Sequence, residues 1–235
     1  MEPLEGAPVF PTATAAAERV TTFLRAVYGW MFAGLAITAF VAYTVAASPT
    51  FIGALVSNQI LFLGLFLVQL GVVFFLAARV DRLAPGTATL LFIAYSALTG
   101  LTLSVILIAY TGASIATTFV VTAGMFGALA LYGTTTSRSL AGVGQFVFMG
   151  LIGLVLASVV AMFWRNAALE FLISVVGVIV FTGLTAWDAQ RLRMMATAIP
   201  EGKLGSYAIL GALSLYLNFI NLFLFLLRFM GGRRN

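Results

Sequence analysis

The chain has no cysteine and no histidine, and it is poor in charge of either sign. Without cysteine there is no disulfide framework and no thiolate chemistry, and nothing in the chain reports a redox compartment. Without histidine the commonest metal ligand and the commonest general base are both missing. Only 8% of the residues are charged, against about 25% in an ordinary soluble domain. In their place stand 62% hydrophobic residues and a mean hydropathy of +1.12. Apolar runs of this length form helices in lipid, where each backbone must satisfy its own hydrogen bonds. The expectation is an all-α integral membrane protein whose first partner is the lipid bilayer.

The formal net charge of +5 does not point to nucleic acid. The Lys and Arg residues sit in short loops between apolar runs, with no basic cluster interleaved with aromatics, and there they set orientation in the membrane. Catalysis is hard to assemble from what remains. A serine nucleophile lacks a histidine base, and paired aspartates need a second intramembrane Asp. Asp81, in the charged loop Arg79-Val80-Asp81-Arg82, is a poor candidate for it. Neither an enzyme nor a bound cofactor is expected.

Gaps between charges count the spans. Arg25 to Arg79 and Arg82 to Arg138 each enclose far more than one helix of about 20 residues. The first gap divides at Ser48-Pro49-Thr50 and Ser57-Asn58-Gln59, the second near Tyr110-Thr111-Gly112. Arg138 to Arg165, Glu170 to Asp188 and Lys203 to Arg228 hold one span each. The chain is therefore expected to have a flexible cytoplasmic tail at 1–22, rich in Pro, Ala and Thr and unlike a signal peptide. A seven-helix transmembrane domain follows at 23–230 and a short basic tail at 231–235. With the N-terminus cytoplasmic, Arg19, Arg25, Arg79, Arg82, Arg138, Arg191, Arg193 and Lys203 fall inside, whereas Arg165, Arg228, Arg233 and Arg234 fall outside. That split favours this orientation. The C-terminal arginines would join the inner set if the last segment turned back. Tyr207 to Arg228 nevertheless reaches about 33 Å as a helix, long enough to cross. Gly124, Gly127, Gly150 and Gly153 are expected to let helix backbones approach closely.

Two segments carry the polar groups of interest. In the last run Gly211, Ser214, Asn218 and Asn221 recur at spacings of three, four and three, so they share one helix face while Leu, Ile and Phe cover the others. Such a stripe faces protein or water, not lipid. The run before it ends in Trp187-Asp188, with Thr185 three residues earlier and Arg191 three later. Asp188 either marks the helix end, paired with Arg191 or Arg193, or faces an internal cavity where it can bind a cation or exchange a proton. Asn218 can contribute an amide oxygen to a cation path or, like Asn221, tie its helix to a neighbour. Gln69 and Gln145 read as interhelical hydrogen-bonders. Arg79, ending the second span, falls at the same depth as Asp188 and can pair with it as a gate.

Three blocks resemble the Bax inhibitor (transmembrane Bax inhibitor motif) family in its bacterial branch. They are Ala130-Leu131-Tyr132-Gly133-Thr134-Thr135-Thr136 leading through Gly144-Gln145-Phe146 to Leu154, Phe181 to Gln190 with its aromatic-Asp-x-Gln ending, and Ser214 to Phe223. The resemblance implies seven helices, the last central and wrapped by two layers of three, in a bacterial inner membrane. It also implies a proton-sensitive calcium leak, with calcium ions and protons as partners. In that scheme the sixth-helix Asp pairs with an Asp of the last helix, and a basic residue of the second helix latches the pore. Asp188 matches the first partner, Asn218 replaces the second, and Arg79 fits the latch.

The replacement has consequences. Two close carboxylates resist joint ionisation and make a sensor near neutrality, whereas an Asp beside an Asn lacks that repulsion. Any pH gate here is expected at lower pH than in a two-Asp relative, or to be lost. Asp188, Asn218 and water can still serve a transient Ca²⁺. The resemblance also allows a non-conducting regulator that binds a membrane-bound quality-control protease. A proton-coupled transporter ranks third, since Asp188 alone is placed to carry a proton.

Overall fold

The computed structural model describes residues 13–164, 166–200, 202–232 and 234. The described residues form α1 (Ala13–Ala46), α2 (Pro49–Ser57), α3 (Gln59–Arg79), α4 (Pro85–Ala109), α5 (Gly112–Thr135), α6 (Ala141–Phe163), α7 (Ala167–Met195) and α8 (Leu204–Met230). Seven of these are long and apolar enough to cross a membrane, and α2 is a short extra helix between the first two spans. The second, sixth and last spans of the sequence are thus α3, α7 and α8.

Helix ends follow local chemistry. Pro49 and Pro85 open α2 and α4, where a missing N–H costs nothing. Asn58, Thr111 and Asn166 cap α3, α5 and α7 by accepting from the N–H groups of Leu61, Ser114 and Ala168. Gly202, at φ 77°, takes the left-handed conformation in the turn before α8.

Both breaks of the first charge gap fall where the sequence puts them, with the short α2 enclosed between Ser48 and Asn58. One boundary differs from the charge-gap reading. Of the tail expected at 1–22, residues 1–12 lie outside the described residues, and helix α1 already begins at Ala13. At about 1.5 Å per residue, its 34 residues outreach the ~30 Å hydrocarbon core. Helix α1 therefore continues beyond the lipid carrying Glu18, Arg19 and Arg25, and those charges do not end it.

The last helix is the core. In its most apolar window 61% of the residues are buried, against 11–33% in the other spans. It touches α1, α3, α4, α5 and α7. Around it, α4 packs on α1 and α3, and α7 packs on α5 and α6. The ends of α8 are tied to opposite ends of α4. Ser206 Oγ donates to Leu83 O at 2.9 Å and the Tyr207 hydroxyl donates to Asp81, both in the loop before α4. Beyond α8, Thr111 N donates to Gly232 O at 3.2 Å, and Arg234 N donates to Ala109 O at 3.0 Å, at the far end of α4. Helix α8 therefore runs the full length of the bundle and does not turn back.

Several glycines expected at close helix contacts do not make them. A Cβ on Gly124, Gly127 or Gly153 would meet nothing within 4 Å, whereas Gly150 does sit at a close α6–α7 contact, where a Cβ would lie 3.0 Å from Val180 Cγ2. Close approach occurs also at Gly133 against the Ala186 carbonyl, Gly144 against the Trp187 ring, and Gly100 against α1 (2.7 Å to Val41 Cβ).

Candidate functional site

Asp188 lies seven residues, about two turns, before the end of α7. Helices α7 and α8 pack against each other after the short turn at 196–203, so this depth on α7 meets Ser214 and Asn218 on α8. Asp188 is only 6% exposed. Its Oδ2 accepts from Ser214 Oγ and from Asn218 Nδ2, each at 2.8 Å. Its Oδ1 faces Arg191 Nη1 at 3.9 Å, a long ion pair one turn along the same helix. The Arg191 side chain is 54% exposed, and its guanidinium lies 5.5 Å from the Trp187 ring centroid. At 3.9 Å, with the arginine half in solvent, the ion pair contributes little to stability, whereas the two bonds to a buried carboxylate from hydroxyl and amide are charge-assisted.

The group opens on a cavity of about 300 Å³ between α3, α7 and α8. Val73 and Ala77 form its α3 wall, Asp188, Arg191 and Met195 its α7 wall, and Gly211, Ser214 and Leu217 its α8 wall. Deeper along α7 and α8, Phe181, Leu184, Leu222 and Leu226 close the interface with apolar side chains. The arrangement is a blind recess with one buried carboxylate at its inner edge. Asn218 turns its amide nitrogen toward Asp188, so as arranged it serves as donor to the carboxylate. No three acidic residues cluster among the described residues, so any cation meets one carboxylate and neutral oxygens.

The expected residues are partly brought together. Asp188, Ser214 and Asn218 meet, and Gly211 lines the same recess, where a Cβ would lie 2.7 Å from Leu192 Cδ2. Arg79 is exposed at the end of α3 and does not line the recess; the basic group at Asp188 is Arg191. Thr185 is buried but donates to Phe181 O within α7 at 2.7 Å. Asn221 Nδ2 donates to Leu217 O at 2.8 Å within α8 and bonds no other helix through that group. Gln69 does bond across helices, Nε2 donating to Leu98 O at 3.2 Å, whereas Gln145 is exposed.

Two polar anchors escaped the sequence reading. Gln190 accepts from Leu140 N and donates to Arg138 O, both at 2.8 Å, clasping the α5–α6 turn. Tyr216, fully buried, shares a 2.6 Å hydrogen bond with Thr38 of α1, and Thr38 donates to Ser96 O of α4 at 2.9 Å. Gln190 had a signal, two residues after Asp188 in the aromatic-Asp-x-Gln block. Tyr216 had none, being one of several aromatics in an apolar run.

Comparison with known proteins gives the family. Residues 20–235 match the family model described as "Inhibitor of apoptosis-promoting Bax1". The Escherichia coli (strain K12) inner membrane protein YbhL is 53% identical over 216 residues, covering 91% of this chain and 92% of that protein. Uncharacterized proteins of Borreliella burgdorferi and Deinococcus radiodurans are 44% and 43% identical, covering 91% and 92% of this chain and 93% of each relative. The family match over most of the chain, the relatives and the seven membrane-length helices agree: this chain is a multi-pass membrane protein of the Bax inhibitor family.

Proposed function

We propose that the protein is a pH-sensitive, calcium-permeable cation leak channel with its gate at Asp188. One observation carries this reading: an aspartate buried to 6% exposure inside a membrane span borders an open recess of about 300 Å³. Ionisable groups at such depth are costly to keep, and they mark ion or proton pathways more often than packing. Ca²⁺ takes carboxylate, hydroxyl, amide and water oxygens. Asp188 Oδ1, Ser214 and a rotated Asn218 amide supply them once Arg191 swings out. A single carboxylate binds weakly, which suits a path that ions must also leave. Arg191 takes the latch role in this proposal, since it faces Oδ1 directly. The basic end of the bundle faces the cytoplasm of a bacterial inner membrane.

The test is calcium flux into proteoliposomes holding wild type or Asp188→Asn, followed from acidic to neutral pH. The expected result is protein-dependent flux that falls with acidification in wild type and drops severalfold, without that pH dependence, in Asp188→Asn. Folded wild-type protein that leaks no more than empty liposomes at any pH would sink the channel reading. A non-conducting regulator that binds a membrane-bound quality-control protease is the second reading, favoured because Asp188 Oδ2 is already satisfied by two donors within the chain. Under it, Asp188→Asn leaves partner capture unchanged while loop substitutions abolish it.

A further inference from the structure

On the side of α8 away from Asp188, helices α1 and α5 do not close over the core. Between them lies an apolar cleft of about 560 Å³ floored by Phe219. Its depth comes from small residues, Ala36 and Ala39 on α1 and Ala123, Gly127 and Ala130 on α5. Gly127 is informative, because a Cβ there would meet nothing within 4 Å. That glycine leaves open space and does not serve helix contact. The rim is exposed and apolar, Phe32 at 73% and Leu131 at 64%.

Length identifies the class of occupant. Along α1 the cleft is lined from Tyr28 to Ala39, about 16 Å at the helical rise, against about 15 Å for half of a ~30 Å hydrocarbon core. The cleft thus has the reach of one leaflet's chains. Charge identifies the head. Arg25 stands one turn before Tyr28 on the same face of α1. Arg193 Nη1 donates to the carbonyl of Thr134, the residue that ends the cleft on α5, at 2.7 Å. Arg193 is exposed and keeps further N–H donors. The α1 face continues outward through Thr21 and Thr22 to Glu18, two turns beyond Arg25. Arg193 thus stands at the Thr134 end of the cleft, and Arg25, which lines a neighbouring surface hollow together with Glu18, lies one turn beyond its Tyr28 end.

We propose that the α1–α5 cleft is a lipid site holding one acyl chain of an anionic phospholipid whose phosphate is bound by Arg25 and Arg193. The chain lies along Phe219, the residue after Asn218, so the site touches the helix that carries the Asp188 partner. Arginine suits the phosphate because its fork of donors reads two oxygens at once.

The test is native mass spectrometry of full-length protein released from nanodiscs of equal phosphatidylglycerol and phosphatidylethanolamine. Wild type is expected to retain one phosphatidylglycerol in preference to phosphatidylethanolamine. Gly127→Leu, whose Cβ would meet nothing within 4 Å, is expected to lower retention of both lipids severalfold. Arg25→Gln with Arg193→Gln is expected to keep a lipid but lose the preference. Ala36→Leu, from the opposite wall, is a second way to fill the cleft if the glycine variant fails to fold. Retention by both filled variants equal to wild type overturns the site. Equal retention of the two lipids by wild type overturns the anionic head. Neither result depends on whether the protein conducts ions.

Discussion

Asp188 gathers what its surroundings leave it: two donors on one oxygen and a distant, half-exposed arginine on the other. The two basic residues considered for the gate therefore behave differently. Arg191→Gln is expected to raise resting calcium flux severalfold in proteoliposomes, because the group facing Oδ1 is removed, while Arg79→Gln leaves it within about twofold. A reversed ranking would return the latch to α3. Asn218→Asp puts a second carboxylate against Oδ2. The pair then shares a proton, and the pH of half-maximal flux is expected to move upward; an unchanged flux profile would refute the role of position 218. At this scale the chain was only partly legible. Of the stripe Gly211, Ser214, Asn218 and Asn221, the first and third are buried and the other two half-buried, on a helix enclosed by its neighbours, and a 3.6 period does not say which member reaches which neighbour. Ser214 and Asn218 reach α7, Gly211 packs, and Asn221 bonds its own helix. Arg79 matched Asp188 in depth, yet an arginine one turn away on the same helix needs no tertiary contact to arrive there.

Among the helices, closeness is set by particular glycines. Gly133 on α5 presses against the Ala186 carbonyl, and Gln190 and Arg193 of α7 bond the backbone around the end of α5 within a few residues of it. Gly133→Ala must push the two helices apart and is expected to lower the melting temperature of the detergent-solubilised protein by several degrees. Gly127→Ala meets no neighbour and is expected to be neutral or to stabilise by up to ~1 kcal/mol through helix propensity. Equal melting temperatures for the two variants would contradict this assignment. The sequence could not rank these glycines, because a glycine at a tight crossing and one beside an open cleft have identical local context. Helix count was legible for the opposite reason: charges are expelled from lipid, so the gaps between them are physical lengths. The start of α1 was not, since a helix that leaves the membrane can carry charge without ending.

For the whole molecule, charge is divided between the two ends. Arg19, Arg25, Arg79, Arg82, Arg138, Arg191, Arg193 and Lys203 lie at the end where α1 starts and α3, α5 and α7 finish; Arg228 and Arg234 are the described basic residues at the other. Because the native chain has no cysteine, single cysteines report sidedness without background. Cysteines replacing Ser139 or Lys203 are expected to react in intact cells only with membrane-permeant thiol reagents, and one replacing Asn58 with impermeant reagents as well. The opposite pattern would invert the orientation.

The centre of the bundle is also the last part of it to be synthesised. Until α8 emerges, Asp188 lacks Ser214 and Asn218, Thr38 lacks Tyr216, and the Asp81 loop lacks Tyr207. The six earlier spans must therefore wait in the bilayer around a gap that exposes the Asp188 carboxylate and the Thr38 hydroxyl, and they gain their core when α8 closes it. A ribosome that stalls before α8 would leave six spans without their keystone, open to the cell's membrane proteolysis until that helix slides in.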